Sequence, residues 1–268
     1  MTAPAASLTI DRVGKIFRFN GAPREVLRDV SFEVGKGEIV GVLGASGCGK
    51  STLLRLIVGL DRDYSGRIAV AGEGGSDPAR RISMVFQDHR LFPWLTVAEN
   101  VGLALDRAKL PRAEKRDRIR HYVDLVGLSD FIDAYPKQLS GGMAQRAAIA
   151  RALVSEPEIL LMDEPFGALD SLLRLRLQDE LLRIWQHRVL SVVVVTHDIE
   201  EALYLGDRVI VLEANPGRIR SVIDVDIPRP RRRTDPHIVA LKRECFDLVA
   251  GQADGDGLFE GRGEIRSA

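Results

Sequence analysis

Apolar and polar residues alternate along Leu8–Phe19 and Glu25–Val34, the period of strands with one buried face. Asn20-Gly21 between them is a hairpin signal. Glu38–Leu43 is almost continuously apolar and runs into a glycine-rich turn, as a buried strand does. The period then changes. Leu53, Leu54, Ile57, Val58 and Leu60 recur at helical spacing and predict a helix over Lys50–Leu60. Gly66–Gly72 and Ile82–Phe86 read as further strands. From Thr96 to about Ser155 the strand pattern vanishes, and Thr96–Leu105, Pro111–Val126 and Gly142–Val154 read as helices. Strands return at Ile159–Met162, Ser191–Thr196 and Arg208–Leu212, with a long helix, Ser171–His187, between the first two.

Strands that alternate with helices imply right-handed βαβ units and a mostly parallel sheet. The fold class is therefore α/β, with an N-terminal antiparallel β subdomain and a helical subdomain at about 96–155 inserted into the core. The domain so defined covers 1–233. Residues 234–268 hold a helix, Pro236–Ala250, and a glycine-containing tail expected to be flexible. Between them Pro228-Arg-Pro-Arg-Arg-Arg233 reads as a solvated basic turn, with contact to a partner or a lipid headgroup as the functional alternative.

Composition narrows the class. The 268 residues suit one large domain carrying an insertion. Thirty-eight Lys+Arg balance 38 Asp+Glu, so no overall field draws the chain to nucleic acid or anionic lipid. Hydrophobic residues at 45% exclude a disordered chain. Two cysteines, Cys48 and Cys245, exclude a disulfide scaffold and suit a reducing cytosol. The longest apolar runs, Val192–Val195 and Ile159–Met162, are strand-sized, and the N-terminus lacks signal-peptide features. A soluble cytosolic protein is expected, with any membrane contact made through a partner.

Gly44-Ala45-Ser46-Gly47-Cys48-Gly49-Lys50-Ser51 fits the phosphate-loop pattern between a strand and a helix, with Thr52 following. Glycines let the backbone curl until its N–H groups aim at phosphate oxygens, and the helix adds the positive end of its dipole. Lys50 can reach the β- and γ-phosphates, and the Ser51 hydroxyl can ligate Mg²⁺. Kinases, GTPases, helicases and transport ATPases all share this loop. Ile159–Met162 then leads into Asp163-Glu164-Pro165, a buried strand ending in two carboxylates. One can hold Mg²⁺ while the other, Glu164, faces an attacking water as general base or water-orienting group. Leu139-Ser140-Gly141-Gly142 looks like a capped helix start with bare N–H groups, a second anion site. Cys48 reads as a small apolar filler whose alkylation should block ATP.

These three motifs together resemble the ATPase subunits of ABC transporters, over about Leu8 to Arg233. The resemblance implies further roles. Gln87 matches the glutamine that touches Mg²⁺ and the attacking water. Ala168-Leu169-Asp170 matches the loop at the subunit boundary. His197 matches the histidine that contacts the γ-phosphate. Phe17 stands where an aromatic stacks on adenine, with Phe19 the second candidate. It also implies a head-to-tail homodimer in which Ser140-Gly141-Gly142 of one subunit closes over ATP held by the other, with ATP and Mg²⁺ as cofactors. A soluble phosphotransferase gives no role to Ser140–Gly142, Asp170 or His197, and a non-transport ABC ATPase gives less reason for Glu164.

No membrane span, long coiled coil, second ATPase unit or long regulatory domain is fused here, which leaves the free-standing importer type. Gln87-Asp-His-Arg-Leu-Phe-Pro-Trp94 and Asn215-Pro-Gly-Arg-Ile219 are similar to the nitrate/sulfonate/taurine group, above all to aliphatic sulfonate importer ATPases, with taurine or nitrate the alternatives. That likeness implies integral-membrane permease subunits and a periplasmic or extracellular solute-binding protein as partners. The chain would sit at the cytoplasmic face of the inner membrane, held by the permease. Phe92-Pro93-Trp94 is either core packing or part of the groove that receives the permease.

Overall fold

The computed structural model describes residues 6–71, 81–106, 108–167 and 169–251. The chain opens with a long hairpin, β1 (Ala6–Phe19) and β2 (Ala22–Gly35). Asn20 and Gly21 both have positive φ, 50° and 82°. That is the turn Asn-Gly favours, because its twist matches the flanking strands. Next come β3 (Ile39–Gly44), α1 (Lys50–Ile57) and β4 (Ser65–Val70), and β4 pairs with β1 to complete a three-stranded antiparallel sheet, β2-β1-β4.

After β5 (Ile82–Val85) the strands stop. The inserted block holds α2 (Val97–Gly102), α3 (Arg112–Leu125) and α4 (Gly141–Leu153). A capping box between Thr96 and Glu99 starts α2. The core then resumes with β6 (Ile159–Asp163), α5 (Ser171–His187), β7 (Ser191–Thr196), α6 (Ile199–Leu205), β8 (Arg208–Glu213), β9 (Arg218–Asp224) and α7 (Pro236–Ala250). The six-stranded sheet runs β5-β6-β7-β3-β8-β9. Its pairs are parallel except the edge strand β9, which returns antiparallel to β8.

Strand periodicity divides the interior in two. In β6, Leu160 and Met162 join the core under the helical block, whereas Ile159 and Leu161 join the core beneath α1 and the antiparallel sheet. A third cluster places α6 and α7 against β8, with Ile223 of β9 and Cys245 of α7 buried in it.

Three expectations change on contact with the structure. The helix predicted to reach Leu60 ends at Ile57, since Gly59 takes φ 77° and turns the chain away. Both α6 and β9 go unforeseen. Seven residues are too few for a helical period to stand out, and β9 is a largely exposed edge strand. The basic turn is no solvated loop. Arg231 is buried and donates to the carbonyls of Leu203, Tyr204, Gly206, Val225 and Ile227. Arg229 stacks on Trp185 and bonds Asp207 and the Leu205 carbonyl, and Arg233 stacks on Tyr204. The Arg229 and Arg231 guanidiniums satisfy the carbonyls that α6 leaves open at its C-terminus. The tail beyond Gly251, Gly72 and Ala168 lie outside the described residues.

Candidate functional site

A parallel sheet delivers its strand ends to one edge, and that edge collects nearly every candidate side chain. Leu43 lies beside Thr196, Asp163 beside Val195, and Val85 beside Met162. The segments leaving those strands carry the phosphate loop, Gln87, Asp163-Glu164 and His197.

The loop Gly44–Gly49 wraps around its own lysine. Lys50 Nζ donates to the carbonyls of Gly44 at 2.8 Å and Ala45 at 3.0 Å. Gly49 shows why glycine is required: its φ is 100°, and a Cβ there would sit 2.6 Å from Leu27 Cδ2. Ser46 and Gly47 stand at the exposed outer bend, and Ser51 and Thr52 open α1. Cys48 is buried, and burial raises its thiol above the ordinary range, with Lys50 opposing. A buried neutral thiol is a poor nucleophile, so Cys48 is expected to alkylate slowly while the chain is folded.

Ser51 Oγ donates to Asp163 Oδ1 at 2.9 Å. Burial pushes the Asp163 carboxyl up, Ser51 opposes this, and the charge of Glu164 pushes it further. A hydroxyl and a carboxylate meeting in a buried corner suit a hard divalent cation with oxygen ligands. At Glu164 the chain leaves the strand. Its N–H still bonds Val195 O at 2.8 Å, but its φ is +45°, so the side chain departs from the strand's alternation. Glu164 Oε2 lies 3.5 Å from Gln87 Nε2 and 3.1 Å from His197 Nδ1. The His197 side chain is 63% exposed and that of Glu164 is 20% exposed. The three groups form a polar rim beside the phosphate loop, where a carboxylate can take a proton from water and the amide and imidazole can hold it in line.

Phe17, 41% exposed, lines an open cleft of about 570 Å³ together with Thr52, Arg55 and Asp61. Phe19 is more exposed and lies outside that lining. Ser140 caps α4, accepting from Met143 N at 3.2 Å. A Cβ on Gly141 would meet nothing within 4 Å. Among the described residues no hydrogen bond or ion pair joins Ser140–Gly142 to the phosphate loop. Asp170 caps α5 through Leu173 N at 3.0 Å. Phe92 and Trp94 are exposed with ring centres 5.4 Å apart, so they are surface rather than core.

Sequence reasoning missed the groups that brace the rim. Gln145 of α4 donates to Phe86 O at 3.2 Å, and Arg151 donates to His89 O at 2.8 Å and Arg90 O at 2.9 Å. Both ends of the Gln87 segment are thus tied to α4. Asp198 caps α6 just after His197 and pairs with Arg174 at 3.2 Å. Glu201, 4% exposed, accepts from Gln178 at 3.4 Å, while its Oε1 finds no hydrogen bond among the described residues. Burial, and then Asp198, push its carboxyl up to about 8. Helical position without a partner in sequence gave no signal for any of these.

A family model described as ABC transporter matches residues 27–167. The chain is 44% identical over 254 residues to the Bacillus cereus aliphatic sulfonates import ATP-binding protein SsuB, covering 95% of this chain and 98% of that protein. It is 47% identical over 224 residues to the Burkholderia cenocepacia aliphatic sulfonates import ATP-binding protein SsuB 2, covering 84% and 82%. An uncharacterized ABC transporter ATP-binding protein of Methanocaldococcus jannaschii, MJ0412, is 45% identical over 242 residues, covering 90% and 91%. Among solved structures, a dimeric post-hydrolysis state of the ATP-binding cassette MJ0796 bound to ADP and Pi superimposes with TM-score 0.75 at 33% identity, covering 82% of this chain and 100% of that one.

Proposed function

The chain belongs to the ABC transporter family as an ATP-binding, ATP-hydrolysing subunit, and from that premise we propose that it powers uptake of an aliphatic sulfonate through a membrane permease. In this reading residues 1–233 are the ATPase domain, 96–155 its helical subdomain, and 234–268 a C-terminal extension. The observation that carries the chemistry is the meeting of Glu164 with Gln87 and His197 beside the phosphate loop.

Gly44–Thr52 would cradle the triphosphate, with Lys50 exchanging loop carbonyls for phosphate oxygens, and Phe17 would stack on the base. Ser51 and Asp163, with Gln87, would hold Mg²⁺, which neutralises phosphate charge. Glu164 takes a proton from the attacking water, Gln87 positions that water, and His197 faces the γ-phosphate. Ser140, Gly141 and Gly142 present N–H groups at the start of α4 that find no acceptor among the described residues. Their ligand would be the ATP of a second copy, closed head-to-tail, with Asp170 at the boundary. The dimeric state named for the similar cassette supports this.

The named solute of the SsuB relatives supports sulfonate as cargo. Among the described residues no helix is long and apolar enough to cross a membrane, so attachment would run through the permease at the cytoplasmic face of the inner membrane. The exposed Phe92–Trp94 pair suits an aromatic-anchored contact with it. A periplasmic or extracellular solute-binding protein would complete the assembly. Replacing Glu164 with Gln tests the mechanism. ATP turnover should fall on the order of 10²–10⁴-fold, the scale of a lost general base. ATP binding should persist, and the variant should accumulate as an ATP-bound dimer by light scattering. Unchanged turnover would remove Glu164 from the chemistry. Growth on a sulfonate as sole sulfur source, with and without the chain, tests the cargo.

A further inference from the structure

Among the described residues three cationic side chains are buried: Lys50 in the phosphate loop, Arg231 in the clasp on α6, and Lys15. Lys15 has no part in the chemistry above. It lies two residues before Phe17 on β1, so strand alternation puts both side chains on one face. Its side chain is 3% exposed. Its Nζ stands 4.8 Å from the centre of the Phe17 ring. The same nitrogen donates to Asp61 Oδ1 at 3.0 Å, pairs with Asp63 Oδ2 at 3.4 Å, and bonds the Asp63 carbonyl. Asp61 and Asp63 belong to the segment that leaves α1, the helix of the phosphate cradle, and Asp61 N bonds Arg55 O at 3.4 Å.

A buried ammonium is costly unless several acceptors surround it. Three acceptors would make a sufficient staple between β1 and the α1 exit without any aromatic neighbour. The ring adds something a staple does not need. A cation against an aromatic ring draws π density toward itself, which lessens repulsion of another π system stacked on the ring. Phe17 still has 41% of its surface open and lines the cleft that it shares with Thr52.

We infer that Lys15 is a positioning residue for nucleobase recognition: anchored by Asp61 and Asp63, it fixes the Phe17 ring relative to the phosphate cradle and strengthens its stacking on a purine. This rests on reading the Phe17 cleft as the base site of ATP. It assigns Lys15 to the base alone and leaves the triphosphate untouched.

Steady-state hydrolysis by the full chain separates the possibilities, with inorganic tripolyphosphate as a competitive inhibitor that lacks a base. Phe17→Ala tests the underlying reading and should raise KM for ATP. Lys15→Met should raise KM for ATP about tenfold, the scale of one stacking or cation–π contact, with kcat within about twofold. The tripolyphosphate inhibition constant should not move, and Lys15→Arg should restore most of the loss. Asp61→Asn keeps the lysine but loosens its anchor, and should raise KM about threefold, so it carries the test if Lys15→Met does not fold. A Phe17→Ala effect without any Lys15→Met or Asp61→Asn effect overturns the inference alone. No effect of Phe17→Ala overturns the base site itself. Equal weakening of ATP and tripolyphosphate in Lys15→Met makes the lysine a general scaffold residue and also overturns the inference.

Discussion

Glu201 offers a quantitative test of how the site's supporting shell is built. Replacing it with Gln keeps the shape and removes the ionisable proton. In an unfolded chain this carboxyl titrates near 4.5, and in the fold it is held up to about 8 by burial and then by Asp198. Between those values the folded protein binds one proton more than the unfolded one, so stability falls as pH rises. The linkage is fully favourable to the fold only below pH 4.5. Integrating between pH 5.5 and 7.5 gives a loss of roughly 2–3 kcal/mol in the parent chain. The Gln variant carries no such term. Urea unfolding of both proteins at the two pH values isolates it, because titrating groups that do not interact with Glu201 cancel in the difference. The stability of Glu201→Gln relative to the parent should improve by roughly 2–3 kcal/mol on going from pH 5.5 to 7.5. Parallel pH dependences of the two proteins would mean that Glu201 is ionised in the fold and that its environment has been misjudged.

Two further outcomes follow from burial. Arg231→Met removes the guanidinium's hydrogen bonds to five carbonyls, of which Val225 O keeps the Ile227 N–H, so it should cost about 3 kcal/mol by urea unfolding, whereas a fully exposed arginine replaced in the same way should cost little. Cys48 should react with iodoacetamide at pH 7.5 at least about tenfold more slowly than in urea-unfolded chain, measured by mass spectrometry; equal rates would show that the loop opens freely.

Much of this was legible in the sequence because the elements concerned are governed by local rules. The Asn20-Gly21 turn, the alternation of β1 and β2, and the strand–glycine loop–helix order of the phosphate cradle all follow from spacing and backbone freedom. The resemblance to ABC ATPases then supplied Gln87 and His197, which spacing alone could not have linked to Glu164. What escaped was set by tertiary contact. Nothing in Pro228–Arg233 says that its arginines find carbonyls rather than water, since those carbonyls belong to a helix too short to be predicted. Lys15 and Asp61 are likewise ordinary surface residue types until the fold closes them around one another. Glu201 sits in an acidic run, Glu200-Glu201, whose two members differ only in the face of α6 they occupy.

The arginine clasp has a consequence for biosynthesis. His197 and α6 leave the ribosome well before Arg229 and Arg231, so the helix that follows the histidine emerges with its closing carbonyls still hydrated. Not until translation has moved past the edge strand β9 can the clasp snap shut and that turn become rigid. A polypeptide interrupted before this point would own every phosphate-binding group yet carry its histidine ahead of a helix whose last turn is still open to water.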